Sequence, residues 1–194
     1  MTGDLAVTVA GAGIGGLAAA TALARAGHRV TVLERSPAPD AVQGAGLLLY
    51  ANGVAAADAV DPALGARLRE RGHVVGPGEV RTVVDAAGTV LAVEPVGDAG
   101  VRAGYPQVPI LRAELHAALR DRAAAAGVRV RYGVTVRGCR DAGDGVDVLL
   151  DGGGQTRADL LVGADGLRSA VRAALLGDGP PQYRGYTSVR GHTV

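Results

Sequence analysis

The sequence has no lysine, phenylalanine or tryptophan, and a single residue each of methionine and cysteine. These absences exclude several functions. Without lysine, every basic residue is an arginine. The 20 arginines and 19 acidic residues leave a formal net charge of +1. That balance gives no general attraction to nucleic acid or to an anionic membrane. One cysteine, Cys139, excludes an internal disulfide and fits a reducing, cytoplasmic compartment. No base stands near it in sequence to make it a nucleophile. His28, His73, His116 and His192 form no metal-ligand pair, so no metal is expected. No Ser-His-Asp or Cys-His arrangement is evident. With so few large side chains, the interior must be built from Ala, Val, Leu and Gly.

What is present is a globular composition. The chain has 194 residues, 48% hydrophobic and 20% charged, enough for one to two domains. Leu5 to Ala24 carries no charge and is long enough to span a bilayer. Gly11, Gly13, Gly15 and Gly16 break its middle, and the only charge before it is Asp4, where a secretory signal would be basic. A folded strand, turn and helix account for it better, and no membrane span is expected.

The hydrophobic pattern alternates between strand and helix. "LAVTVAG" is a short apolar run, as in a parallel strand buried on both faces. "LAAATALARAG" reads as a helix ending at Gly27, and "HRVTVLER" as a second strand. These form a βαβ start. Residues 36–46 read as a loop, and 54–72 as a helix broken at Asp61-Pro62. "EVRTVVDAAGTVLAVE" reads as a β-hairpin, 96–109 as a loop, and Leu111 to Ala126 as a helix. "VRVRYG", "VTVRGC", "GVDVLLD" and "QTRADLLVG" follow as short strands. "GLRSAVRAALLG" reads as a final helix and the tail from Tyr183 as a strand. The fold class is α/β with an antiparallel inset.

Gly11, Gly13 and Gly16 give the spacing G-x-G-x-x-G between a strand and a helix. The first permits a tight turn, the second lets backbone approach a pyrophosphate, and the third lets helix and strand pack closely. The helix N-terminus then offers free N–H groups to phosphate. Glu34 ends the second strand, where a carboxylate accepts hydrogen bonds from both hydroxyls of a ribose and repels a 2′-phosphate. On these residues alone NAD and FAD fit equally. Arg112 opens a helix, an unfavourable place for a cation unless it serves an anion such as a pyrophosphate. "DLLVGADG" ends a buried strand with Asp165 and Gly166, at the strand end where open α/β sheets bind ligands. A plain helix N-cap is the alternative for Asp165. An NAD-dependent dehydrogenase would explain Gly11 to Glu34 but leave Arg112 and Asp165 without a shared task.

Three blocks together resemble the flavoprotein aromatic hydroxylases of the p-hydroxybenzoate and salicylate hydroxylase type. "GAGIGG…ER" resembles their dinucleotide fingerprint, "ILRAELHAAL" their arginine helix and "GADGLRSAVR" their Asp-Gly motif. "GAGLLLYANG" and "PQYRGYTSVRG" resemble blocks in urate hydroxylases and zeaxanthin epoxidase-like enzymes. The resemblance implies a Rossmann-like FAD-binding domain of glutathione-reductase type, at 1–72 and 107–178. It implies the beginnings of a substrate domain at 73–106 and 179–194, with an incomplete sheet. It implies FAD as cofactor, NADH or NADPH as reductant, and a small aromatic or similar electron-rich ring as substrate for hydroxylation with O2. The glycine turn, Gly11, Ala12, Gly13, Ile14, Gly15 and Gly16, would hold the pyrophosphate. Glu34, with Arg35 beside it, would take the adenosine ribose. Leu48 would approach FAD by its backbone, Gln107 would face the flavin end and Arg112 would reach the pyrophosphate. Val134 would lie near the adenine, and Asp165 with Gly166 would hold the extended cofactor. No catalytic acid or base is named.

Two departures stand out. The family's later Gly-Asp motif is missing, since the Gly-Asp of "LLGDGPPQ" directly follows the Asp-Gly helix. Val189 stands where related sequences often carry Trp. A truncated, non-catalytic FAD- or ADP-binding piece, completed by a missing C-terminal half or a partner chain, is the second reading.

Overall fold

A computed structural model describes residues 4–38 and 45–187. Two compact units are present. The first contains the described residues up to 38 and from Leu119 onward; the second contains residues 45–118.

The first unit is built on a parallel sheet. Its strands are β1 (Ala6–Ala10), β2 (Arg29–Glu34), β7 (Arg129–Tyr132) and β11 (Leu160–Gly163), in the order β11-β1-β2-β7. The β-branched run of β1 is buried almost throughout, with Val9 and Ala10 fully so. Helix α1 (Ile14–Arg25) makes the crossover from β1 to β2 and buries Leu17, Ala20 and Thr21. Ala20 and Thr21 are small and Leu17 is aliphatic, so no large aromatic stands between helix and sheet. The inset is an antiparallel sheet of β8 (Val136–Asp141), β9 (Val146–Leu150) and β10 (Gln155–Ala158), in the order β10-β9-β8. Helix α6 (Ala170–Leu176) packs against β8.

The second unit holds β3 (Gly46–Leu49), helices α2 (Ala51–Val60) and α3 (Pro62–Arg71), and β4 (Arg81–Val84) with β5 (Val90–Glu94). Helix α4 (Val96–Ala103), strand β6 (Val108–Leu111) and the start of α5 (Arg112–Ala125) complete it. The expected break at Asp61-Pro62 is a clean boundary between two helices. Asp61 caps α3 by accepting the Ala63 N–H at 3.0 Å, and Pro62 takes the first helical position. The expected hairpin is β4–β5, and Asp85 shapes its turn by accepting the N–H groups of Ala87 and Thr89. Among the described residues this ribbon is a two-stranded sheet by itself, with Val83, Val84, Val90, Leu91 and Val93 exposed. A two-stranded ribbon is marginal by itself, which agrees with an incomplete sheet.

Several expectations are corrected. Residues 96–109 are not one loop, because Val96–Ala103 is helical. Gly97 lies in the expected loop but serves close packing: a Cβ there would lie 1.9 Å from the Gly76 carbonyl oxygen. The loop at 36–46 yields to strand β3 at Gly46, which pairs antiparallel with β6. The last helix begins at Ala170, not Gly166, since Gly166 has φ of 82° and lies in the turn before the helix. Residues 183–187 form no strand, and the rest of that tail, Val189 included, lies outside the described residues. The two units meet in sequence at 43/44 and 118/119, whereas the boundaries drawn from the resemblance follow expected function.

Candidate functional site

In the first unit the four parallel strands end side by side. Their order places the turn after β11, the glycine turn after β1, Glu34 at the end of β2 and Val134 after β7 in one row. Strand β1 is flanked by β2 on one side and β11 on the other, so the chain reverses its winding there. Ligands of open α/β sheets bind at such a point, outside the carboxyl ends.

The glycine turn has the geometry that its spacing demands. Gly11 has φ of 101°, and its N–H donates to the Leu33 carbonyl at 2.8 Å. A Cβ on Gly11 would lie 2.5 Å from the Ala164 carbonyl oxygen. A Cβ on Gly16 would lie 1.9 Å from the Gly11 carbonyl oxygen, so only glycine lets α1 start this close to β1. Gly13 and Gly15 face open space instead, with nothing within 4 Å of a Cβ. Gly13 is the N-cap of α1 and supplies no side-chain acceptor, and the first turn of α1 has no acidic residue. The first N–H groups of α1 are therefore left for an outside anion. Ala12 and Ile14 lie within this turn.

Glu34 anchors the turn to the second strand. One carboxylate oxygen accepts the Ala12 N–H at 2.7 Å and the other accepts the Ser36 N–H at 2.9 Å. Burial works against its ionisation. The backbone N–H groups of Ser36 and Ala12, the Ser36 hydroxyl and the Arg35 charge outweigh it and hold the carboxyl below its ordinary value. With three donors on about four lone-pair sites, the carboxylate keeps an acceptor position for a ligand hydroxyl. Val134 donates its N–H to the Glu34 carbonyl at 2.9 Å, which sets it beside the same strand end. Arg35 is exposed.

Asp165 is a helix cap in this structure. Its carboxylate accepts the Ser169 hydroxyl and the N–H groups of Ala170 (2.7 Å) and Val171 (3.3 Å). Ser169 in turn accepts the Arg172 N–H at 2.9 Å. The capping alternative thus accounts for the side chain, while the backbone at Ala164 and Asp165 lies against Gly11. Asp165→Ala is expected to cost about 1–2 kcal/mol of stability, as loss of a cap does. A urea titration followed by circular dichroism measures this.

Leu48, Gln107 and Arg112 belong to the second unit. Leu48 is half-buried in β3 opposite Pro109. Gln107 is buried just before β6, and its carbonyl accepts the Val75 N–H at 3.0 Å. Arg112 is the first residue of α5 and is exposed, and its guanidinium has no partner among the described residues. The first unit therefore brings together Gly11 to Gly16, Glu34, Val134 and the Asp165-Gly166 turn, and each of the other three is placed only within the second unit. Sequence reasoning missed Ser36 and Ser169, which hold the two carboxylates. Ser169 carried a readable signal, a serine directly before "AVRAALL". Among the described residues no group of three or more metal-ligating side chains occurs, and no helix is long and apolar enough to cross a membrane.

Residues 4–180 match the family model described as FAD binding domain. The chain is 39% identical over 193 residues to the aurachin C monooxygenase/isomerase of Stigmatella aurantiaca, covering 98% of this chain and 48% of that protein. It is 37% identical to the 3-hydroxybenzoate 6-hydroxylase of Polaromonas naphthalenivorans, covering 98% and 45%. Among solved structures, a substituted Klebsiella pneumoniae HpxO complexed with FAD has 30% identity and a TM-score of 0.78, covering 92% of this chain and 44% of that one. The chain thus spans a little under half the length of the curated relatives it matches. By its match over residues 4–180, the chain belongs to the FAD-binding domain family.

Proposed function

We propose that this chain is the FAD-binding portion of a flavin-dependent monooxygenase that uses NADH or NADPH and O2 to hydroxylate a small aromatic or similar electron-rich ring. The observation that carries the proposal is the row of strand ends: an uncapped α1 N-terminus with open space at Gly13 and Gly15, beside an ionised Glu34. In this reading the α1 N–H groups hold the pyrophosphate, and Glu34 accepts the ribose hydroxyls with Val134 alongside. The backbone at Asp165 and Gly166 borders the cofactor, with Leu48, Gln107 and Arg112 at its other contacts. The FAD-binding domain then covers 1–72 and 107–178, and the substrate domain begins in 73–106 and 179–194. When bound, FAD supplies the redox chemistry, accepting hydride and activating O2. The chain supplies binding and orientation. The relatives' hydroxylase and monooxygenase activities support the substrate class.

A second reading is a module that binds FAD or ADP without turnover and works with another polypeptide in the cytoplasm. It is favoured by the exposed β4–β5 ribbon, which pairs with no other strand among the described residues. Anaerobic mixing of the FAD-loaded chain with NADH or NADPH separates the two. Bleaching of the flavin absorbance, reversed by air, supports the monooxygenase reading. A bound flavin that stays oxidised supports the binding module.

A further inference from the structure

The second face of the parallel sheet carries a feature outside the proposed cofactor contacts. Residues in register on neighbouring parallel strands point the same way. The registers Thr8 with Thr31, Thr31 with Arg129, Leu33 with Arg131 and Ala6 with Arg29 therefore define one face. Parallel sheets are normally apolar on both faces. This face instead carries two threonines and three arginines, and Arg157 of β10 joins them around a cavity of about 510 Å³. That volume lies in the range of small-molecule sites, roughly 300–1,000 Å³.

The charges are not balanced within it. No carboxylate lines the cavity among the described residues. Arg29 pairs with Asp4 at 3.3 Å, and Arg157 pairs with Asp144 and Asp147. Arg129 and Arg131 have no hydrogen-bond or ion-pair partner among the described residues. They stand two residues apart on β7, so their Cα atoms are roughly 6.6 Å apart along the strand. Two free guanidiniums, which only donate, and nearby hydroxyls, which can donate, form a donor-rich surface suited to a multivalent oxyanion.

We propose that this cavity is a binding site for a small phosphorylated molecule, with Arg129 and Arg131 as its anchors and Thr8 and Thr31 as further donors. It lies on the sheet face and is separate from the glycine turn, so the proposal does not rest on the FAD reading.

Isothermal titration of the full chain at low ionic strength, with inorganic phosphate and with glycerol 3-phosphate, tests it. The wild-type chain is expected to bind at least one of them. Arg129→Ala/Arg131→Ala is expected to weaken that binding about tenfold or more, the loss of a charge-assisted contact. Both side chains are exposed, so the fold should survive, and circular dichroism checks this. Arg102→Ala, an exposed arginine on α4, removes one positive charge elsewhere and should leave binding unchanged. Tighter binding of glycerol 3-phosphate assigns the site to an organic ester, and equal binding assigns it to the phosphate group alone. No binding by wild type, or undiminished binding by the double variant, overturns the proposal. Loss of FAD affinity in the double variant also overturns it, because the arginines would then belong to the cofactor site.

Discussion

Gly16→Ala is expected to abolish tight FAD binding while leaving a destabilised but folded chain. The added methyl would sit 1.9 Å from the Gly11 carbonyl oxygen and 3.3 Å from the Ala164 side chain. The first of these neighbours is backbone, so no rotamer change relieves the clash. Helix α1 must move away from β1, and the strand-to-helix turn must open. Overpacking of this kind costs roughly 1–3 kcal/mol. The binding loss is larger than the stability loss implies, because the N–H groups of α1 act only when aimed at one point. A drop of about a hundredfold in FAD affinity corresponds to roughly 2.7 kcal/mol. Gly15→Ala is the control: its methyl meets nothing within 4 Å, so stability should change little. Thermal unfolding and FAD titration of both variants measure the two effects. Equal FAD affinity in Gly16→Ala and wild type would show that α1 does not hold the cofactor.

Glu34→Gln is expected to weaken FAD binding roughly tenfold to a hundredfold and to alter the acid stability of the chain. The carboxylate has two tasks. It receives the Ala12 and Ser36 N–H groups, which ties the glycine turn to the end of β2. In the proposed function it also presents negative charge to ribose hydroxyls. The amide keeps one acceptor oxygen and sets an NH2 group against the other N–H, so the turn loosens as the ribose contact weakens. The pH dependence follows from the sign of the shift. The folded-state pKa lies below the ordinary glutamate value near 4.5, so ionised Glu34 stabilises the fold above that value. This contribution is lost as pH falls from about 4.5 through the lower folded pKa. The Tm gap between wild type and Glu34→Gln should therefore be constant at neutral pH and close on acidification within that window. A gap that does not change with pH would remove Glu34 from this role.

Much of the nucleotide half of the fold was legible because its local and global demands coincide. A β-branched run, three glycines at fixed spacing and a carboxylate at the next strand end each admit few alternatives. The glycine spacing even separates its members. Gly11 and Gly16 are packed against backbone, while Gly13 and Gly15 are open. Helix α4 was hidden because glycine means two things. Gly97 and Gly100 disfavour a helix by propensity, yet both are buried where another residue would clash or crowd. Strand β3 was hidden because its partner β6 lies some sixty residues away, and four residues of "GLLL" carry no period. Asp165 shows the limit for side-chain roles. Its place at a strand end was readable, but its commitment to the N–H groups of α6 depends on the turn that Gly166 makes. The arginine face of β7 followed the alternation of "VRVRY", but its meeting with Arg29 and Arg157 depends on register.

The central claim is that the carboxyl edge of the parallel sheet holds the ADP half of FAD. Titration of the purified chain with FAD, followed by flavin absorbance and repeated with ADP as competitor, tests it most directly. The account predicts saturable binding of one FAD per chain and displacement by ADP. A chain folded by circular dichroism that binds neither FAD nor ADP would contradict it.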